Sequence, residues 1–276
     1  MQYLQKHSLY ISNPKVSCDF YINKLGMSLL TKFTENEIEY YHLSFDNLPN
    51  SKEAFLELIF DKNNKETIFP KNKDTLEGYW KIALSIKDVD IARERLLEKG
   101  VDIGPAFQVP NVAYLCHFYD PDGYCLELIQ HKFQENHIKE DENKNYVLGN
   151  KAIFSLITYR VKDINKSLEF YTKHLGLKLL SKMDVSKRGF NLYFLALTND
   201  ILPNETDIEA IENREWLWQR EYTIIELQHI LQFDNDKEFK YEVGKTTGFN
   251  KISFISKEKK SLKDPDLYNI EIQKID

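Results

Sequence analysis

Cysteine is scarce in this chain, and its placement excludes more than its number does. Cys18, Cys116 and Cys125 form no CxxC pair and are odd in number, so neither a disulfide framework nor a thiolate zinc site is expected, and a reducing compartment fits. Long apolar runs are also missing. None approaches the roughly 18 residues of a bilayer-spanning helix, so no membrane partner is expected. The periodic pattern starts within a few residues of Met1, leaving no room for a signal or transit peptide. The expected location is the cytoplasm, or an organelle such as a plastid if a leader has been removed. Excess positive charge is the third absence. Lys and Arg number 37 against 43 Asp and Glu, a formal charge of -6, with no basic stripe. Nucleic acid is therefore not an expected partner, because counterion release needs clustered cations.

What is present is the composition of a folded, soluble protein, 42% hydrophobic, 13% aromatic and 29% charged, with a mean hydropathy of -0.50. At 276 residues the chain can bury two compact cores or one large one.

The chain repeats itself. "FYINKLGMSLL" at 20–30 recurs as "FYTKHLGLKLL" at 170–180, an offset of 150, and "SLYISNPKVSCD" aligns with "LITYRVKDINKSLE" at the same offset. A second pair matches "YWKIALSI" with "FNKISFIS", and "DPDGYCLELIQ" with "DPDLYNIEIQK". These anchors define four units: A from about 3 to 62, B from 78 to 132, C from 152 to 232 and D from 247 to 276. Each complete unit reads as an alternating strand, a helix and further strands, with Gly26, Gly100 and Gly176 at helix C-termini. Polar residues 133–150 read as a linker, giving a first domain over 1–132 and a second over 151–276. Unit D is short. Lys81 to Glu127 spans 46 positions in B, but Lys251 to Glu271 spans 20 in D, room for a first strand, a charged loop "KEKKSLK" and a last strand. Unit C gains a long loop or helix at "ILPNETDIEAIENREWLWQ". In "DPDLY", Leu267 replaces the glycine of "DPDGY", so that turn is expected to be strained or differently shaped.

"YRVKDINKSLEFYTKHLGLKLL", "GFNLYFLAL", "REYTIIELQH" and "DPDGYCLELI" resemble the vicinal oxygen chelate superfamily, and within it glyoxalase I (lactoylglutathione lyase), over nearly the whole chain. The resemblance implies an α+β fold of tandem βαβββ modules, paired so that curved sheets enclose clefts, with the last module truncated here. It also implies a zinc or nickel ion held by four ligands from two modules, two of them glutamates, and a glutathione adduct of methylglyoxal as substrate. One site is expected from A with D and the other from B with C.

The residues matching those ligands are Lys6, Glu57, Lys251 and Glu271 at one site, and Lys81, Glu127, Leu156 and Glu226 at the other. All four glutamates, the family's ligand and base positions, are kept. No histidine or glutamine is, and none of the seven histidines falls on a ligand position. Side chains alternate along a strand, so His7 should pack in the core while Lys6, Ser8 and Tyr10 face the cleft. A protonated lysine cannot ligate a metal, and adjacent carboxylates keep it protonated. Lys6, Lys81 and Lys251 are therefore expected to ion-pair with the glutamates in the metal's place, and no cofactor is expected. Arg160 matches a substrate-binding arginine, but Tyr10, Asp61 and Glu77 stand at other glutathione-recognition positions. Trp80, Trp216 and Trp218 are candidates to line a pocket, but core packing is the expected role for aromatics beside a strand.

The expected function is a glyoxalase I-like protein without metal or lactoylglutathione lyase activity that binds a small ligand or glutathione adduct, or regulates. It would be a monomer or homodimer, or an associate of an active paralogue. The alternative is an active lyase or a metal-independent isomerase.

Overall fold

The computed structural model describes residues 3–46, 51–64, 76–139, 141–244 and 247–274; position 140 of the expected linker and the last two residues of unit D lie outside these. The first module runs β1 (Tyr3–Tyr10), α1 (Pro14–Cys18), β2 (Ser28–Glu35), β3 (Ile38–Ser44) and β4 (Phe55–Asp61), with α1 widening into a π-type helical turn over Asp19–Lys24. The second runs β5 (Tyr79–Ile86), α2 (Val89–Glu98), β6 (Phe107–Val109), β7 (Ala113–Tyr119) and β8 (Cys125–Gln130). The third comprises β9 (Ile153–Val161), α3 (Ile164–Glu169), a second π-type turn over Phe170–His174, β10 (Lys178–Val185), β11 (Phe190–Ala196), α4 (Glu212–Leu217) and β12 (Ile224–Ile230). The fourth has β13 (Phe249–Ser256), β14 (Lys260–Lys263) and β15 (Asn269–Lys274). In the first three modules the helix after the first strand starts where a polar side chain caps it: Asn13 accepts from the amides of Lys15 and Val16, Asp88 from Ile91 and Asp163 from Lys166.

One expectation is corrected and one open alternative is settled. The segment "KEKKSLK" is not all loop, because Lys260–Lys263 pairs antiparallel with β15 as an edge strand. The extra residues of the third module do form a helix, α4, and it packs against β10.

The strands make two sheets, ordered β14-β15-β13-β1-β4-β3-β2 and β10-β11-β12-β9-β5-β8-β7-β6. Each therefore takes one module from either side of residues 133–150, the first with the fourth and the second with the third. In the complete modules the first strand lies parallel to the last, as in Ser8↔Glu57 and Thr158↔Glu226. Between modules the first strands meet antiparallel, β1 on β13 and β5 on β9. The four first strands thus sit mid-sheet, and their inward faces form the common core. His7 lies there, stacked on Phe249 at 5.4 Å with Nε2 3.2 Å from the Tyr79 hydroxyl. Its burial is complete and pushes its pKa down to about 3, so it is a neutral core residue, as strand alternation predicts.

Tyrosine corners tie the modules pairwise. In the turn before β8, Asp120 accepts from the amides of Asp122 and Tyr124 and from the hydroxyl of Tyr21, and Tyr124 donates to the carbonyl of Tyr10. The turn before β15 repeats this, with Asp264 accepting from Tyr171 and Tyr268 donating to the carbonyl of Arg160. The copies differ at one backbone position. Gly123 has φ 91° and Leu267 φ 75°, a left-handed conformation that costs a side-chain-bearing residue about 1–2 kcal/mol. Leu267 is half exposed, so Leu267→Gly loses little packing. The expected result is a stabilisation of about 1 kcal/mol in urea unfolding.

Candidate functional site

The register places a glutamate beside the first strand of every module. At the second and third modules, Glu127 lies against Ala83 and Glu226 against Thr158, on the face that also carries Lys81. The Lys81 ammonium reaches both, 2.6 Å from Glu127 Oε1 and 3.5 Å from Glu226 Oε2, and sits 4.7 Å from the centre of the Trp80 ring. Burial alone would lower the Lys81 pKa; the charges of Glu127 and Glu226 overcome it and hold the pKa at about 12. Burial pushes Glu127 up too, but Lys81 and the neighbouring His117 bring it down to about 2. Glu226 goes the other way. Burial raises its pKa despite Lys81 and a 2.7 Å hydrogen bond from the Thr158 hydroxyl, so one ammonium serves one fully ionised carboxylate and one that holds its proton more tightly.

Above this floor is a cavity of about 100 Å³. Its walls are apolar, with Leu115, Ile129, Leu192 and Phe194 among them, and Arg188 stands at its rim. Trp80 lines it, contrary to the expectation that it packs in the core. The register slips between Tyr79 and Lys81, so that Trp80 and Lys81 both border the cleft. Trp218 does lie in the core and donates its indole N–H to the carbonyl of Val112, while Trp216 is partly buried against Arg220.

The first and fourth modules hold a looser copy. Lys6 lies 2.9 Å from Glu57, which also accepts from Ser8 at 2.7 Å and contacts His42 Nε2 at 2.7 Å. Burial would raise the Glu57 pKa, but His42, Lys6 and Ser8 together hold it at about 2. Lys251 pairs with Glu271 at 2.5 Å. Four mutually neutralising charges were expected here, and the structure has two separate pairs. The second is more open, with Lys251 and Glu271 side chains 28% and 22% exposed against 4% for Lys81 and Glu127. Among the described residues, the short fourth module contributes three strands and no helix.

Sequence reasoning missed His42 and His117. Each lies directly across from its module's glutamate, His42↔Glu57 and His117↔Glu127. His117 Nε2 comes within 2.8 Å of Glu127 Oε2 but off the line of its N–H, so that contact is electrostatic rather than an aligned hydrogen bond. The first two modules thus share one constellation, lysine on the first strand, glutamate on the last and histidine on the strand beside it. Arg160 lies on the cleft face, donating to the carbonyl of Glu77 at 2.7 Å and to Gln228 at 3.1 Å, with its guanidinium over Trp80.

The divalent metal implied by the resemblance does not fit these residues. Ammonium groups stand where lone pairs are needed, Leu156 is apolar and buried, and among the described residues no three His, Cys, Asp or Glu side chains converge as a metal ion requires. Also among the described residues, no helix is long and apolar enough to cross a membrane.

Comparisons with known proteins place this fold. Glyoxalase I of Saccharomyces cerevisiae is 28% identical over 253 residues, covering 86% of this chain and 72% of the yeast protein. Lactoylglutathione lyase of Schizosaccharomyces pombe is 28% identical over 199 residues, 67% of this chain and 63% of that one. The crystal structure of glyoxalase I from Zea mays superposes with a TM-score of 0.69 at 18% identity, covering 99% of this chain and 92% of the maize chain; that likeness is one of fold. The model of the Glyoxalase/Bleomycin resistance protein/Dioxygenase superfamily matches residues 3–128 and 153–215, and the chain belongs to that superfamily.

Proposed function

We propose that this chain is a glyoxalase I-like protein in which lysine ammonium groups have replaced the metal, and that it acts as a small-ligand-binding or regulatory protein and not as a lactoylglutathione lyase. The observation that carries this reading is the position of Lys81. Its ammonium lies between Glu127 and Glu226, where a cation would bridge them, and supplies charge without a coordination position. Metal stabilisation of an enediolate contributes several kcal/mol to such chemistry. An ammonium already engaged by two carboxylates supplies less.

A second reading keeps an enzyme. The cavity over Glu226 persists, and a carboxylate with raised proton affinity beside an ammonium suits proton abstraction next to a carbonyl without metal. Glutathione recognition is weak in both readings, since Arg160 is engaged by Glu77 and Gln228.

Elemental analysis of protein purified without chelator, with lactoylglutathione lyase turnover assayed before and after added zinc or nickel, tests the first reading. Less than about a tenth of a metal per chain and no turnover is expected. Stoichiometric metal with turnover would overturn it, and turnover without metal would select the second.

A further inference from the structure

A sheet edge is a row of unpaired N–H and C=O groups, and folded proteins shorten, charge or cover such edges. Among the described residues, three of the four edges follow that rule. Strand β6 has three residues, and β14 has four with lysine at both ends. Strand β10 has eight, but the insertion covers it, with the Lys182 amide donating to the carbonyl of Ile208. Strand β2 is the exception. It ends the seven-stranded sheet, is eight residues long, and every residue is exposed, including Leu29, Leu30 and Phe33 at 45%, 43% and 39%.

The hairpin fixes which amides face outward. Asn36 and Glu37, with φ 48° and 66°, form a two-residue turn of the I′ kind, which makes Glu35 and Ile38 a hydrogen-bonded pair. Alternation then directs the N–H and C=O of Phe33 toward β3 and those of Lys32 and Thr34 out to the free edge.

We propose that β2 pairs antiparallel with β2 of a second copy of this chain about a two-fold axis through Phe33, joining the two seven-stranded sheets into one. A two-fold perpendicular to a sheet returns each face to itself, so it passes through a residue and not between residues. Centred on Phe33, the outward groups of Lys32 meet those of the partner's Thr34, and Thr31 faces the partner's Glu35. No like charges oppose. A register centred on Lys32 would set two ammonium groups against each other, and one moved toward the strand's start meets the bulge between Leu29 and Thr31. Phe33 stacks on Tyr40 at 4.9 Å and 9° on the cleft face, so the pairing closes a cluster of four rings over the half-open first cleft.

Sedimentation velocity of the full chain across a wide concentration range tests this with two variants. Wild type is expected as a two-chain particle that dissociates on dilution. Thr34→Pro removes an outward donor without touching the β2–β3 ladder, and is expected to be monomeric over the same range. Phe33→Cys places two thiols at a non-hydrogen-bonded pair, with Cα atoms about 4.5 Å apart, inside the span a disulfide bridges. Mild oxidation should cross-link it, while wild type with its native cysteines stays uncross-linked. A monomeric wild type, a Thr34→Pro chain that dimerises as well as wild type, or no cross-link in oxidised Phe33→Cys would each overturn the proposal.

Discussion

Replacing Lys81 with methionine is expected to destabilise the protein by about 3–5 kcal/mol at neutral pH, because breaking a buried ion pair from one side leaves an uncompensated charge. Two carboxylates are orphaned here, since Glu127 and Glu226 share this ammonium and both are almost fully buried. The loss should change with pH in a direction opposite to the wild-type behaviour. In wild type the Glu127 pKa is held at about 2, below its unfolded value near 4.3. Its contribution is therefore present above the unfolded pKa and disappears as pH falls toward about 2. In Lys81→Met, burial raises both glutamates above the unfolded value. Their protonated forms then favour the fold, so stability recovers as pH drops through the raised pKa values. Urea unfolding of wild type and variant at pH 8, pH 5 and pH 3 measures both effects. A deficit under 1 kcal/mol, or one that grows on acidification, would show that Lys81 does not neutralise this pair.

The double variant Lys81→His, Leu156→Gln is expected to bind zinc or nickel at one ion per chain with a dissociation constant of roughly 1 μM or tighter, about 8 kcal/mol of binding free energy. Both glutamates are already in place, and the substitutions supply the two ligands with lone pairs that the site lacks. Without metal the double variant should be less stable than wild type, because Leu156 packs with Ala83 and Phe194 in a buried cluster and glutamine there lacks a partner. Added metal should restore the unfolding midpoint, while each single variant binds far more weakly. Isothermal titration with thermal melts reads both. A folded double variant that ignores metal would mean that these four positions do not converge as the family's ligands do.

Much of this architecture was legible because the chain carries its own comparison. An offset of 150 between the first and third units fixes the helices and first strands twice over, and alternation from Lys6 correctly turned His7 inward. The misses have physical causes. His42 and His117 were invisible because their proximity to the glutamates comes from cross-strand register between β3 and β4 and between β7 and β8, which no pattern within a single strand encodes. Histidine at an alternating position on the strand before each glutamate's own was the available signal. The core expectation for Trp80 rests on the usual packing of aromatics beside a strand, which takes no account of the slip beside Lys81 that turns it to the cleft. The strand within "KEKKSLK" was read as loop from its charge, yet an edge strand needs only a partner on one side, and β15 provides it.

The pairing of β1 with β13 also governs when the protein can assemble. Lys6 lies across from Ser253, so β1 finds this neighbour only after the ribosome has made the two intervening modules. Until then one side of β1 is open, and the second module waits likewise for the third. Contacts this distant in sequence slow folding and expose strand edges meanwhile. The first two modules, made before their partners, are consequently the species most open to misassembly, and their vulnerability is set by translation time and not by the stability of the finished fold.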